Sequence, residues 1–280
     1  MIAFPSDSLN ILTGAYPETV CTLAHNLVND PRLALPALVA LAARFPAANV
    51  EYNPGKLPIG IAPEDIPSPA LSIEDTVRSI EHNGSWMVLK FIENDPEYRA
   101  LLETTLAEIL PMTAAITGEM LGMEGFIFIS SPGAVTPFHF DPEHNILMQI
   151  RGSKVMTLFA ADDENIVSGA AHEAFHLGQQ HRNLKWDDRF SAAGMPVALS
   201  PGQAVYVPVK APHWVQNGPE VSISLSVTWR SQWSYAEAEA RGFNNMLRQV
   251  GLNPASPKRY PAQNRAKSLA FRAVRKLRGG

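Results

Sequence analysis

His139, Phe140 and Asp141 place an imidazole and a carboxylate two positions apart. On an extended segment, side chains two apart point to the same face. Both groups can then reach one point, and a third donor from another strand would complete a divalent-metal site. His213, in VYVPVKAPHWVQN, follows a strand-like run and adjoins a Pro turn. Two imidazoles and one carboxylate on one face of an ion leave three coordination positions open. That geometry suits non-haem Fe(II) chemistry, in which a cosubstrate and O2 must both reach the metal. Alone, His-x-Asp is a common pattern, and Asp141-Pro142 is equally a good turn starter.

A second histidine cluster competes. His172-Glu173-Ala174-Phe175-His176 satisfies HExxH, the zinc-peptidase pattern in which imidazoles at i and i+4 share a helix face and Glu activates water. The long form of that motif needs Gly three and His six residues after the second His. Gly178 and His181 follow at two and five instead, so the third ligand would face elsewhere. The segment lies between Ser168-Gly169 and Gly178 and reads as an insertion loop between core strands. A third reading is that His172, His176 and His181 line the entrance of a site at His139. His144 falls in the turn after Asp141 and is expected not to be a ligand.

The elements that must position these residues are legible as hydropathy patterns. FIFIS (126–130), AVTPFHF (134–140), ILMQI (146–150), KVMTLF (154–159), PVALS (196–200), AVYVPV (204–209) and VSISLSVTWR (221–230) are short apolar or alternating runs. SPG, DPEHN, RGS, SPGQ and NGPE separate them, which is the pattern of a β-sandwich or small barrel. Upstream, Val20, Leu23 and Leu27, then Leu38, Leu41 and Phe45, predict helix over 18–46. Residues 53–70 read as a loop, Ser72 as a helix cap, and 85–92 as a strand. Asp95-Pro96 starts a helix expected to reach about Met112. Helix returns after Trp233 and stops near Gly251. The fold class is therefore a mainly β core with α flanks, in one domain: a helical flank over 1–120, a core over 121–232 and a helical basic tail over 233–280. Trp86, Trp214, Trp229 and Trp233 are expected to pack the core or its lid.

The chain has 280 residues and one cysteine, Cys21, so no intrachain disulfide can form. Its apolar and charged fractions are those of an ordinary globular protein. The longest apolar stretch, 33–45, is interrupted by Pro36 and Arg44 and is too short to span a bilayer. With no leader-like start, a soluble, cytoplasmic protein is expected. From Lys258 onward there are eight basic residues and no acidic one, so a net charge of -4 leaves -12 on the rest. No aromatic stacking pattern accompanies that charge, and the tail reads as a solvated helix rather than a nucleic-acid or membrane contact.

The segment GMEGFIFISSPGAVTPFHFDPEHNILMQIRGSKVMTLF resembles the JmjC-type Fe(II)/2-oxoglutarate oxygenases, in particular their asparaginyl-hydroxylase-like branch. In that family the metal ligands are HxD and a distal His, matched by His139, Asp141 and His213. A Thr three residues before the first His and a Lys fifteen after it bind the tail of 2-oxoglutarate; Thr136 and Lys154 match. An Asn six after the first His matches Asn145, and Gln149, Ile150 and Gly152 also agree. The similarity covers roughly 121–160 and 204–230 and leaves out the first hundred residues. Thr228 stands where the branch carries Asn in the last core strand, and the expected aromatic hydroxyl of an upstream strand has no evident counterpart.

The resemblance implies a double-stranded β-helix (cupin-like jelly roll) with helical extensions, and a homodimer formed through C-terminal helices. It also implies Fe(II) and 2-oxoglutarate, O2 as oxidant, and oxidative decarboxylation to succinate and CO2 coupled to hydroxylation of a C–H bond. The residue types suit the cosubstrate: Lys154 is a compact ammonium for a remote carboxylate, and Thr136 adds a hydroxyl. Two other classes stay open. A non-oxidative cupin enzyme would keep barrel and metal without needing Lys154. A metal-binding regulatory module would keep the fold without turnover. The oxidised substrate is not specified: protein side chain, amino acid and small metabolite all fit.

Overall fold

Alternation along the strands sorts the β residues into two populations, and that sorting builds the site. The computed structural model describes residues 2–54, 57–66 and 71–277. Helices are α1 (Ser6–Ala15), α2 (Leu35–Arg44), α3 (Ile73–Arg78), α4 (Pro96–Ala107), α5 (Leu110–Thr117), α6 (Gly169–His176), α7 (Gln232–Gln249) and α8 (Arg265–Leu277). Strands are β1 (Cys21–Ala24), β2 (Val50–Pro54), β3 (Ser85–Lys90), β4 (Met120–Ser130), β5 (Val135–His139), β6 (His144–Arg151), β7 (Lys154–Leu158), β8 (Met195–Leu199), β9 (Gln203–Val207), β10 (His213–Asn217) and β11 (Ser222–Ser231). They form a seven-stranded sheet, β1-β9-β6-β11-β4-β3-β2, and a four-stranded sheet, β5-β10-β7-β8. The pairings are antiparallel, as in a jelly roll.

One face of the large sheet carries Met87, Leu89, Ile127, Ile129, Ile146, Met148, Leu225 and Val227 into the main core, against Leu38 and Leu41 of α2 and Leu101 and Leu102 of α4. The intervening residues, Trp86, Val88, Phe126, Phe128, Asn145, Ser226 and Thr228, line a cavity between the sheets. Because the side-chain period is two, a slip of one residue would exchange these sets. Leu147, Met156, Leu158, Val205, Val207 and Val215 form a second apolar cluster. A third, with Phe138, Phe140, Phe159 and Leu184, is covered by Phe175, Trp186 and Trp214.

The β core with flanking helices agrees with the sequence reading, but the N-terminal flank is not purely helical. It contributes β1, β2 and β3 to the large sheet. Helix over 18–46 holds only for α2. Cys21–Ala24 pairs with β9 as an edge strand, and Pro31 starts a single tight turn. Leu23 and Leu27 fit a helical spacing equally well, and strand pairing overrides it. Asp95 caps α4 as expected, its carboxylate accepting the Glu97 N–H. That helix ends at Ala107, because Pro111 lies in the first turn of a new helix, α5, bent 62° from α4. Ser72 caps α3. The Pro- and Gly-rich stretch 53–70 falls partly outside the described residues, as does Arg278 of the basic tail. Among the described residues no single helix is long and apolar enough to cross a membrane.

Candidate metal centre

β10 runs between β5 and β7, with His213 in register with His139. The two rings lie 4.2 Å apart by centroid. Asp141, just past the end of β5, brings Oδ2 to 3.6 Å from His139 Nε2 and 3.8 Å from His213 Nε2. One donor atom from each of the three residues lies within 4.8 Å of the others, the spread of ligands around one ion. Each imidazole is aimed by its far nitrogen: His139 Nδ1–H donates to Pro137 O at 2.7 Å and His213 Nδ1–H to Ala211 O at 3.0 Å. That leaves a bare Nε2 lone pair on each ring, the tautomer a metal requires.

The electrostatics agree. Burial, with His139 alongside, pushes His213 down to about 4, so it is neutral near pH 7. Burial would raise Asp141, but His139 and Arg182 outweigh it and hold the carboxyl well below the usual range. Arg182 Nη1 donates to Asp141 Oδ1 at 3.2 Å, leaving Oδ2 for the centre. The Asp141 carbonyl is also held, accepting the Lys210 N–H at 2.8 Å. Lys210 has φ 62°, a left-handed conformation costing about 1–2 kcal/mol outside glycine. Its ammonium is fully buried and paired with Glu237 of α7. The metal loop is thus tied to the helix behind it.

The cavity above the triad has a volume of about 90 Å³, room for several water-sized groups. Thr136, Asn145, Lys154 and Thr228 all line it. Lys154 is 5% exposed and makes no ion pair among the described residues. Burial alone pushes its ammonium down to about 7. A charged amine in that position calls for an anionic ligand. Gly152 fixes the turn before it: φ is +66°, and a Cβ there would strike the Val221 carbonyl. Asn145 Oδ1 accepts the Ser226 hydroxyl at 2.7 Å, which fixes the orientation of its amide. Thr228 Oγ1 donates to Glu124 O at 3.2 Å.

Residues 92–235, just over half of the chain, match the model of the cupin-like domain. The chain belongs to the cupin-like domain family. Two curated relatives are similar over about a third of it: lysine-specific demethylase 8 of Xenopus tropicalis, 32% identical over 102 residues, and Jumonji C domain-containing protein 5 of Drosophila melanogaster, 31% over 108. The aligned part is 35% of this chain in both cases and 23% and 26% of theirs. The chain therefore aligns with about a quarter of the length of these relatives. Among solved structures, Escherichia coli ycfD superposes with a TM-score of 0.54 at 17% identity, covering 96% of this chain and 66% of that one. YcfD, a ribosomal oxygenase, in complex with cobalt and 2-oxoglutarate superposes at 0.53 and 15%, covering 99% and 67%. At such identities the likeness is one of fold.

Within this cupin-like domain, the rival histidines do not form a centre. Among the described residues only His139, Asp141 and His213 converge as metal donors. Glu173, the would-be base of HEAFH, is fully buried and held by Arg248 at 2.7 Å and Asn244 at 3.2 Å. His172 is buried and His176 half-buried on α6, which packs against α7, while of the three only His181 lines a second cavity at the entrance, next to His139 and Arg182. His144 is not a ligand: it is fully buried, with Nδ1 2.9 Å from the Tyr206 hydroxyl and Nε2 3.1 Å from Ser231 Oγ. Trp229 and Trp233 are core residues, and Trp86 walls the cavity. The upstream strand β4 lines the cavity with Phe126 and Phe128, neither of which carries a hydroxyl. Arg182 and Glu143 escape the sequence reading. Arg182 lies 41 residues beyond Asp141 in the insertion, with no local motif. Glu143 reads as a turn residue, yet it lines the cavity, and burial, with Asp141 nearby, pushes its carboxyl up to about 7.

Proposed function

We propose that this protein is an Fe(II)- and 2-oxoglutarate-dependent oxygenase that hydroxylates a C–H bond in a protein side chain, an amino acid or a small metabolite. The observation that carries the reading is the buried, unpaired Lys154 ammonium in the same cavity as the triad. His139, Asp141 and His213 would hold Fe(II), which supplies oxidative decarboxylation of the 2-oxo acid coupled to oxidation of the substrate. Lys154 Nζ and the Thr136 hydroxyl would bind the remote carboxylate, a charge-assisted contact made strong by the dry surroundings. Asn145 would donate from its amide, and Thr228 stands near the same ligand. Val88, Phe126, Phe128 and Met156 exclude water around it. The dicarboxylate chemistry of the cavity also agrees with the 2-oxoglutarate seen in the YcfD complex.

The test is succinate formation from 2-oxoglutarate under air with Fe(II) and ascorbate, with and without candidate substrates. The wild-type protein should produce succinate, and Asp141→Ala should not. No succinate from wild type across a broad substrate panel, together with no 2-oxoglutarate binding, would overturn the reading.

A further inference from the structure

A second cationic pocket lies behind the metal motif, between α6, α7 and the segment joining α7 to α8. Its volume is about 330 Å³. Arg241, Arg259 and His172 line it, with Lys258, Ser256 and Glu164 also in its wall. Arg241 is 4% exposed; its Nε donates to Glu237 Oε1 at 2.5 Å, and its Nη1 has no partner among the described residues. Arg259 places Nε 2.8 Å from Glu18 Oε2 and lies over the Trp233 ring, while its Nη1 is likewise buried and unpartnered. His172 is 2% exposed with Nδ1 unpartnered.

These groups make a donor set without an acceptor. Glu237 is shared by Lys210 and Arg241, Glu18 pairs with the half-buried Arg259, and the buried Glu173 is engaged by Arg248 and Asn244, so none of these carboxylates meets the unpartnered Nη1 of either arginine. Burial, then Arg241, Lys210 and Arg259, drive His172 far below its ordinary value, so its imidazole is neutral and its Nδ1 can carry a proton to donate. The acidic residues Asp162 and Glu164 are at the exposed rim, where Ser256 donates its hydroxyl to Glu164 at 2.5 Å. Orphaned guanidinium N–H groups in a dry site are costly unless an anion meets them. Their planar forks match a tetrahedral oxyanion.

We propose that Arg241, Arg259 and His172 form a binding site for a phosphate-type oxyanion, free or carried on a small metabolite. The site is separate from the metal cavity, since His172 reaches the metal motif only through the ring of Phe140, 4.7 Å away by centroid. The proposal is independent of the oxygenase reading, because its test reads binding alone.

Calorimetric titration of the metal-free full chain at low ionic strength would use two probes, inorganic phosphate and glycerol 3-phosphate. Saturable binding below about 1 mM is expected for at least one. Equal affinities would indicate the free ion, and tighter glycerol 3-phosphate a carried phosphoryl group. Arg241→Gln should weaken binding by at least about tenfold, the value of a hydrogen bond to a charged group. Because that change unbalances Glu237 and can prevent folding, Arg259→Gln provides the same comparison from the half-buried wall. Binding of neither probe to wild type, or affinity unchanged in a folded variant, would overturn the assignment.

Discussion

Lys154 is the residue whose behaviour separates a binding cavity from a mere core. Its amine falls from 10.5 to about 7 through burial. Between those values the unfolded chain binds more protons than the folded one, so stability of the ligand-free protein should rise as pH rises from about 7 to 10.5. Binding of a dicarboxylate restores the charged form, so 2-oxoglutarate should bind with proton uptake and more weakly above about pH 7. Calorimetry in buffers of different ionisation enthalpy reads this directly. Lys154→Met should remove the proton uptake, raise the KM for 2-oxoglutarate by at least about tenfold, and stabilise the ligand-free fold near neutral pH by about 1 kcal/mol or more. At the metal, His139→Ala should abolish stoichiometric Co(II) binding while His176→Ala retains it, as followed by the cobalt visible spectrum. The reverse result would return the centre to HEAFH. Thr136, Asn145 and Lys154 were legible through the family resemblance, whose motif sets them at fixed offsets from His139, and all three line the cavity. Arg182 and Glu143 were not, because nothing local marks an arginine in an insertion or a turn glutamate as facing the same cavity.

At the level of elements, the strands with a clean period of two were visible in sequence, and those defined by their partners were not. β4, β6, β7, β9 and β11 carry alternating or continuous apolar runs. β1 is four residues long and exists because β9 offers it an edge. β10 (HWVQN) has only two apolar residues, adjacent rather than alternating, and lies between β5 and β7, so its strand character comes from two neighbours rather than from composition. The break between α4 and α5 shows how one proline divides a helical pattern that otherwise continues. The turn before β7 gives the element-scale prediction. Gly152→Ala combines a left-handed φ with a clash against Val221 O, so Tm should fall by about 3 °C or more, for a cost of at least about 1 kcal/mol. The same variant should lose 2-oxoglutarate affinity, because Lys154 begins the strand that follows. Unchanged Tm and unchanged affinity would mean that this turn does not position the lysine.

Across the whole molecule, two sheets enclose a cavity whose floor holds three metal donors and whose wall holds one buried cation. N-terminal helices cover the outer face of the large sheet, and the C-terminal helix α7 braces the metal loop through Lys210 and Glu237. The cupin-like core carries the three metal donors, while the entrance, with His181, Arg182 and Glu51, lies on β2 and on the segment between β7 and β8, outside the stretches 121–160 and 204–230 that hold the motif residues. The most direct measurement is an anomalous difference map from crystals grown with Co(II) and 2-oxoglutarate. One cobalt peak is expected, bonded to His139 Nε2, Asp141 Oδ2 and His213 Nε2, with the remote carboxylate of 2-oxoglutarate on Lys154 Nζ and Thr136 Oγ1. A cobalt peak beside His172 and His176, or a dicarboxylate bound away from Lys154, would contradict this assignment.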